Sequence, residues 1–537
     1  MNLFVRASNS KHVKCAVAAM VACSMLVSLP GCHLPQLRGA EEGRVMPDTF
    51  NGVISADNSA EIGINEFFND PVLSNLICEA LLGNQELKIL AEDIQIASNE
   101  VQSRRGAIFP FVGIGAGAGV EKPSLFTPLG AVEENLDFRP GQGFPTPLPN
   151  FLVAANLSWQ VDIWKQLRNA RDAATLRYLG TAEGRNYVVT RLVAEVAENY
   201  YTLMALDERL KNLDRTIALQ ERSLEIAKAS KEGARGTELP VQRFQAEVRK
   251  NQSEKLIIQQ EMIEVENRIN FLAGRYPQPV GRMSVDFFEL NLHALSLGLP
   301  CELLLNRPDI RQAEYELSAA GLDVLVARAE FYPKLNIRAG VGFEAFNPKY
   351  LDVSPDSLMY NVAGDLIAPL INRSAIKAEY KSANARQLQA VYKYQQVVLN
   401  AFTEVVNRIS GVENYSNSIT IKKQQLDSLE TSVDVASKLF NATRIEYIDV
   451  LYAQRDLMEA RMELIETKRK QLGAIVNTYQ ALGGGLVQSQ YVDAAFVANN
   501  AATTPREPPL PPEPSPAIIP PEPVPAIIPP APGVNGN

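Results

Sequence analysis

The sequence predicts an α+β membrane protein: a trimeric, twelve-stranded β-barrel, with four strands from each chain, that continues into a long α-helical coiled coil. Three observations predict this fold class. An export signal opens the chain, two helical segments are far longer than a globular core needs, and four short segments alternate apolar residues with polar residues or glycine.

The N-terminus has the layout of an export signal. Basic residues precede an apolar run at 15–29 that is too short to span a bilayer, and Leu-Pro-Gly-Cys follows at 29–32. This tetrapeptide resembles the bacterial lipobox. In that motif the signal peptide is cut off just before the cysteine, and the cysteine then carries lipid. We therefore expect residues 1–31 to be a signal peptide and Cys32 to bear covalent lipid. The alternative is an ordinary secretory signal with an incidental cysteine.

Composition argues against several classes of function. A formal net charge of −9 disfavours a nucleic-acid binder, which would normally present a basic face. Three histidines leave little material for metal or acid–base chemistry. The chain contains no nucleophile elbow or phosphate-binding loop. We expect no enzyme activity, no metal site and no cofactor apart from the lipid.

The chain repeats its organisation. VQSRRGAIFP at 101–110 is echoed by VLVARAEFYP at 324–333, an offset of 223 residues. Each half is predicted to run helix, strand, strand, long helix, shorter helix. The predicted segments are a lipidated extension at 32–64, repeats at 65–275 and 300–485 joined by a linker at 276–299, and a Pro-rich, disordered tail at 486–537.

Hydrophobic spacing predicts very long helices. One heptad frame persists for about 50 residues of the second repeat, which indicates a left-handed coiled coil. At 1.5 Å per residue, the two longest helices would each extend about 100 Å. The predicted helices cover 71–105, 166–232, 240–273, 308–330, 374–441 and 449–482.

Four strands are predicted at 111–120, 151–160, 334–344 and 358–366. Segments of about ten residues with one apolar face match strands that cross an outer membrane at a tilt. In the third strand, Leu335, Ile337 and Val341 are predicted to face lipid. On its other face, Asn336, Arg338 and Glu344 are predicted to face water in a pore. Four strands cannot close a barrel and an open edge is intolerable in lipid, so we expect three chains to supply twelve strands.

Several motifs together resemble one family. The most specific is LPCELLLNRPDI at 299–310, and shorter matches are FNDPVL at 68–73, LICEAL at 76–81, VARAEFYP at 326–333, DVLYAQR at 449–455 and ALGGG at 481–485. These stretches resemble the outer-membrane factor family of TolC-like channel-tunnels, and within it the lipoproteins of RND-type efflux systems.

The resemblance implies a homotrimer with its barrel in the outer membrane of a Gram-negative-type bacterium and a twelve-helix tunnel in the periplasm. The 276–299 linker would lie in the equatorial region of that tunnel. The tip would dock a periplasmic adaptor (membrane fusion) protein and an inner-membrane RND-type transporter. Drugs or other small solutes would pass outward without chemical change.

The resemblance also implies a periplasmic gate on the turn before the last helix, where family members use acidic residues and a tyrosine–arginine network. Asp449 falls on a matching acidic position. Tyr452 stands where a second aspartate often occurs, and Ile445 replaces the arginine, although Arg444 and Glu446 are adjacent. Asp449 could instead simply place a negative charge at the positive N-terminal end of its helix.

Two other functions remain open at this point. The duct of a type I protein secretion system has the same architecture and differs in its partner. A periplasmic coiled-coil scaffold is a third reading, and it predicts no membrane strands.

Overall fold

The computed structural model describes residues 34–50, 57–234, 236–290, 292, 295–369, 373–442 and 444–486. The predicted signal peptide and Cys32 lie outside these residues, as does all of the Pro-rich tail except Leu486.

Helices dominate both halves of the described chain. Those of the first half are α1 (Ile64–Phe68), α2 (Pro71–Gly83), α3 (Gln85–Gly106), α4 (Pro128–Asn135), α5 (Gln166–Glu232) and α6 (Glu238–Leu272). Those of the second half are α7 (Leu303–Asn306), α8 (Pro308–Ala329), α9 (Ser374–Asn441) and α10 (Tyr447–Ala481). The two longest, α5 with 67 residues and α9 with 68, have the predicted bounds. Each is therefore about 100 Å long.

The four predicted strands form one antiparallel sheet. They are β1 (Phe111–Glu121), β4 (Leu148–Val161), β5 (Lys334–Ala345) and β6 (Leu358–Ile367), in the order β1-β4-β5-β6. The sequence did not predict α4 or the small hairpin of β2 (Asp137–Arg139) and β3 (Gln142–Gly143), which occupy the connection between β1 and β4.

The helices form a wall that continues the sheet. Next to the sheet, α5 packs against α3 and α8, and α8 packs against α9. Because α3 leads into β1, β4 into α5, α8 into β5 and β6 into α9, the helix order repeats the strand order. Farther from the sheet, α6 and α10 take the places of α3 and α8. The wall, like the sheet, has two open edges within one chain.

One predicted helix is wrong. The sequence predicts a continuous helix over 71–105, whereas the structure ends α2 at Gly83 and starts α3 at Gln85. The Asn84 side chain accepts a hydrogen bond from the Leu87 amide and donates one to the Leu272 carbonyl at 2.8 Å. A Cβ on Gly83 would lie 2.1 Å from the Ala273 carbonyl oxygen. Close packing against the end of α6 therefore fixes the break.

The main hydrophobic core lies where α1, α2, α5 and the end of α10 meet. Phe67 and Tyr479 stack there with ring centroids 4.0 Å apart. The linker is tied to the same place, because the Met283 amide donates to the Tyr200 hydroxyl at 2.9 Å. That hydroxyl in turn donates to Asp70, whose other carboxylate oxygen caps α2. The FNDPVL motif thus connects α2, α5 and the linker.

Candidate functional site: pore wall, helix tips and N-terminal strap

One face of the sheet is polar, and it carries the three predicted pore residues. Asn336, Arg338 and Glu344 lie on this face of β5 in alternate positions. Paired residues of β4, β5 and β6 form the rows Gln160–Asn336–Asp365, Ser158–Arg338–Ala363 and Asn156–Gly340–Asn361. Glu344 also accepts a hydrogen bond from the Asn150 side chain at 2.7 Å. The polar face therefore extends across three strands.

The other face of the sheet is apolar and uncovered in a single chain. Its rows, from β1 to β6, are Val112–Leu157–Ala339–Val362, Ile114–Ala155–Val341–Tyr360 and Ala116–Val153–Phe343–Leu358. Ile114, Tyr360 and Val362 are 85%, 79% and 78% exposed. Leu335 and Ile337 share this face by alternation. A surface of this kind suits hydrocarbon rather than water.

Glycine permits close approach on the polar face. A Cβ on Gly340 would lie 2.7 Å from Asn361 Oδ1 and 3.0 Å from Asn156 Oδ1, so the two asparagines crowd the strand between them. A Cβ on Gly342 would lie 2.3 Å from the Val153 carbonyl oxygen. Gly340 and Gly342 therefore allow the neighbouring strands to approach β5 closely on the polar face.

A segment that we call the N-terminal strap (residues 34–50) runs beside α9. Leu34 and Leu37 pack on a cluster that includes Phe331, three residues before β5. The Arg38 amide donates to Asn384 Oδ1 at 3.0 Å, and the Asn384 side chain donates back to the Arg38 carbonyl at 3.2 Å. The strap thus holds Leu34, which lies two positions after Cys32, next to the base of the sheet.

The four predicted gate residues share one turn and the start of α10, but they form no network. Glu446 is the N-cap of α10 and Asp449 lies in its first turn. Tyr452 stacks under the Arg455 guanidinium, 5.0 Å from the ring centroid, and Arg444 is exposed. Among the described residues, no ion pair involves Arg444, Glu446 or Asp449. The exposed carboxylate of Asp449 is therefore free to act on a neighbouring chain or an ion.

The corresponding turn of the first half is better connected. Lys231, near the end of α5, forms an ion pair with Glu238 at the start of α6. The ammonium of Lys231 lowers the pKa of Glu238, and the Gln242 side chain adds a hydrogen bond. The two partners lie seven positions apart on either side of the turn, so the ion pair is visible only in the fold.

Residues 76–275 and 299–484 match the protein family described as "Outer membrane efflux protein". The match covers both repeats and most of the chain. The chain belongs to the outer membrane efflux protein family.

Two relatives of this efflux protein are similar to it over almost their whole length. The "Cation efflux system protein CusC" of Escherichia coli O6:H1 is 27% identical over 487 residues, with 88% of this chain and 98% of the relative covered. The "Probable outer membrane lipoprotein SilC" of Salmonella typhimurium is 26% identical over 449 residues, with 82% and 91% covered.

The fold of the efflux protein is shared with a solved outer-membrane channel. The open-state MtrE channel of Neisseria gonorrhoeae superposes with a TM-score of 0.73 at 22% identity, with 84% of this chain and 98% of that chain covered. This likeness confirms the predicted fold class: a trimeric barrel of twelve strands continued by a helical tunnel. The trimer also removes the open edges of β1 and β6, since three four-stranded sheets close on one another.

The efflux protein is thus an outer-membrane channel component of an efflux system, with its tunnel in the periplasm. Within the described ranges, no helix combines the length and the apolar character that crossing a bilayer requires. The sheet has the polar face and the exposed apolar face that strands of an outer-membrane barrel require, and the predicted pore residues lie on the polar face.

Proposed function

We propose that the chain is the exit duct of a tripartite efflux pump, which passively conducts drugs or other small solutes delivered by a periplasmic adaptor and an inner-membrane RND-type transporter. One observation carries the proposal: a two-faced sheet with open edges continues, strand for helix, into a wall about 100 Å long. Such a wall is longer than any bilayer is thick. It suits a conduit that reaches toward the inner membrane.

We also propose that Cys32 carries covalent lipid that anchors the mature chain. The strap supports this, because it holds Leu34 beside Phe331, at the base of a sheet whose apolar face requires lipid. A lipid attached two residues before Leu34 would lie near that apolar face. The printed name of SilC also refers to a lipoprotein.

For the gate, we propose that three symmetry-related Asp449 carboxylates line the periplasmic entrance. The exposed, unpaired position of each carboxylate supports the idea. Converging carboxylates repel one another and attract cations, as acidic rings do in other pores. Arg444, Glu446 and Tyr452 would then shape the rim around the ring.

The function is tested by deleting the gene and measuring intracellular accumulation of fluorescent drugs. A metal cation is measured in parallel, since the name of CusC refers to cation efflux. We expect drug accumulation to rise and to return to normal when the gene is restored. Crosslinking before purification should capture an adaptor and an RND-type transporter. Capture of a type I secretion ATPase with unchanged drug accumulation would replace this proposal with a secretion duct.

A scaffold function is tested on membranes. We expect the mature protein to remain in the outer-membrane fraction after carbonate extraction and to purify as a trimer only in detergent. A monomer that carbonate releases would support a periplasmic scaffold instead.

A further inference from the structure

One face of α8 carries a row of acids, and with the proposed pore orientation of the sheet this face borders the lumen. Asp309, Glu316, Asp323 and Glu330 follow one another at seven-residue intervals, so they lie on one side of the helix. Glu330 accepts a hydrogen bond at 2.9 Å from the ammonium of Lys334, which lies on the polar face of β5. The acidic row of α8 therefore continues the pore wall of the barrel into the tunnel.

A cavity of about 560 Å³ opens along this row between α5, α8 and α9. We call it the lumenal recess. Its lining includes Gly180, Tyr187, Ala313, Glu316, Lys393 and Val397. Cavities of this size hold drug-sized molecules in other proteins.

The charges around the lumenal recess are paired, with one exception. Glu316 lies 3.5 Å from the Arg177 guanidinium, which also binds Asp323. Asp309 is held by both nitrogens of a buried arginine, Arg307. Lys393 forms no ion pair with any residue that the structure describes, and it is exposed. An unpaired ammonium is therefore available to a ligand in the lumenal recess.

The rest of the lining offers an apolar surface and a hydrogen-bond donor. Ala313, Ala390 and Val397 present small aliphatic side chains. Burial and the nearby Asp309 carboxylate raise the pKa of Tyr187, so its hydroxyl stays protonated at neutral pH. Beside the recess, Gly180 lets α5 pack closely on α8, because a Cβ there would lie 3.5 Å from Tyr315 Cβ and 3.7 Å from the Gln312 carbonyl oxygen.

We propose that the lumenal recess binds organic anions with an apolar body, one per subunit, as they pass along the tunnel. The carboxylate of the solute would accept hydrogen bonds from Lys393, and its apolar body would lie on Ala313, Ala390 and Val397. The inference rests on the proposed channel function, because it requires solute in the lumen. It adds a residue, Lys393, that would favour anionic over neutral solutes of the same shape.

The test uses the purified full-length trimer in planar bilayers, with 2-naphthoate as the probe and 2-naphthylmethanol as its neutral analogue. We expect naphthoate to reduce the current and the neutral analogue to act more weakly. Lys393→Met should raise the half-blocking concentration of naphthoate about tenfold, the value of one charge-assisted hydrogen bond. Lys381→Met removes an exposed lysine of α9 outside the recess and should leave the block unchanged.

A failure of the proposed recess and a failure of the proposed channel function give different results. A trimer that conducts but is blocked equally by naphthoate in wild type and in Lys393→Met overturns the lumenal recess while leaving the channel intact. A trimer that does not conduct contradicts the channel function. In that case, equilibrium dialysis of naphthoate against the detergent-solubilised trimer decides the recess alone, with loss of binding in Lys393→Met supporting it and unchanged binding refuting it.

Discussion

Arg307 donates hydrogen bonds to both carboxylate oxygens of Asp309, at 3.0 and 2.8 Å, while its side chain is only 3% exposed. The same guanidinium donates to Glu404 of α9 at 3.0 Å and to the Ala481 carbonyl at the end of α10 at 2.8 Å. The Asn-Arg-Pro-Asp sequence therefore clamps three helices at one point. Its role is structural, and two of the three partners of Arg307, Glu404 and Ala481, come from distant parts of the chain.

Arg307→Met should lower the free energy of unfolding of the trimer by about 3–5 kcal/mol, because it leaves two partly buried carboxylates without their cation. Thermal unfolding at matched protein and detergent concentrations measures the change. Arg104→Met is the control, since Arg104 and Glu100 form an ion pair with both side chains about half exposed. It should cost less than about 1 kcal/mol. Equal losses in the two variants would contradict the clamp.

A second buried cation should respond to pH. Lys468 is buried, donates to the Leu290 carbonyl at 2.9 Å and has no carboxylate partner among the described residues. Burial, with a smaller effect from Lys423, lowers its pKa. The folded state then binds this proton less tightly than the unfolded state does. The charge therefore costs stability below the lowered pKa, and this cost falls as pH rises toward the ordinary lysine value.

Lys468→Met should accordingly unfold at a higher temperature than wild type at neutral pH, and the difference should shrink as the pH is raised toward that of free lysine. Lys470→Met, two residues along α10 and exposed, should show no such convergence. A Lys468→Met protein that is less stable than wild type at neutral pH would mean that the hydrogen bond to Leu290 outweighs the burial of the charge.

The strands and long helices were predictable because their signals are local. Alternation in KLNIRAGVGFE gives the two faces of β5, and the heptad spacing of α9 gives its length, without knowledge of any partner. The sequence also supplied the correct reason for a trimer, since four strands leave edges that lipid cannot satisfy.

The rest depends on contacts between residues far apart in the chain. In the sequence, Asn84 is compatible with a continuous helix. Only the fold shows that its side chain donates a hydrogen bond to the Leu272 carbonyl of α6. In the sequence Lys393 is one more surface lysine of a coiled coil, and only the fold places it at the edge of the cavity that α5, α8 and α9 line. The predicted gate residues stay predictions, because Asp449 has meaning as a gate only where three chains converge.

Neighbouring residues of β6 provide a direct test of the two faces. Val362 is exposed on the apolar face and Ala363 lies on the polar face beside Arg338. Val362→Lys should cost about 2–4 kcal/mol if the residue lies near the middle of the membrane, and it should reduce the amount of trimer in the outer membrane. Ala363→Lys should be tolerated, because its ammonium reaches pore water. Heat-resistant trimer on gels of outer-membrane fractions measures both.

The reverse pattern, with Ala363→Lys depleted and Val362→Lys normal, would mean that the sheet faces the other way. Equal tolerance would be incompatible with a strand in lipid.

Replacing Asp449 shows whether its carboxylate acts in a gate or only stabilises the start of α10. Three carboxylates around the axis should bind divalent cations, so millimolar Mg²⁺ should reduce the single-channel current of wild type and have much less effect on Asp449→Ala. Asp434→Ala is the control, because the exposed Asp434 is already paired with Lys438 at 2.5 Å, near the end of α9. If Asp449 only complements the positive end of α10, its replacement should instead lower stability by about 0.3–1 kcal/mol and leave the effect of Mg²⁺ intact. Because current and unfolding are measured on the same two variants, the two measurements together separate the two roles.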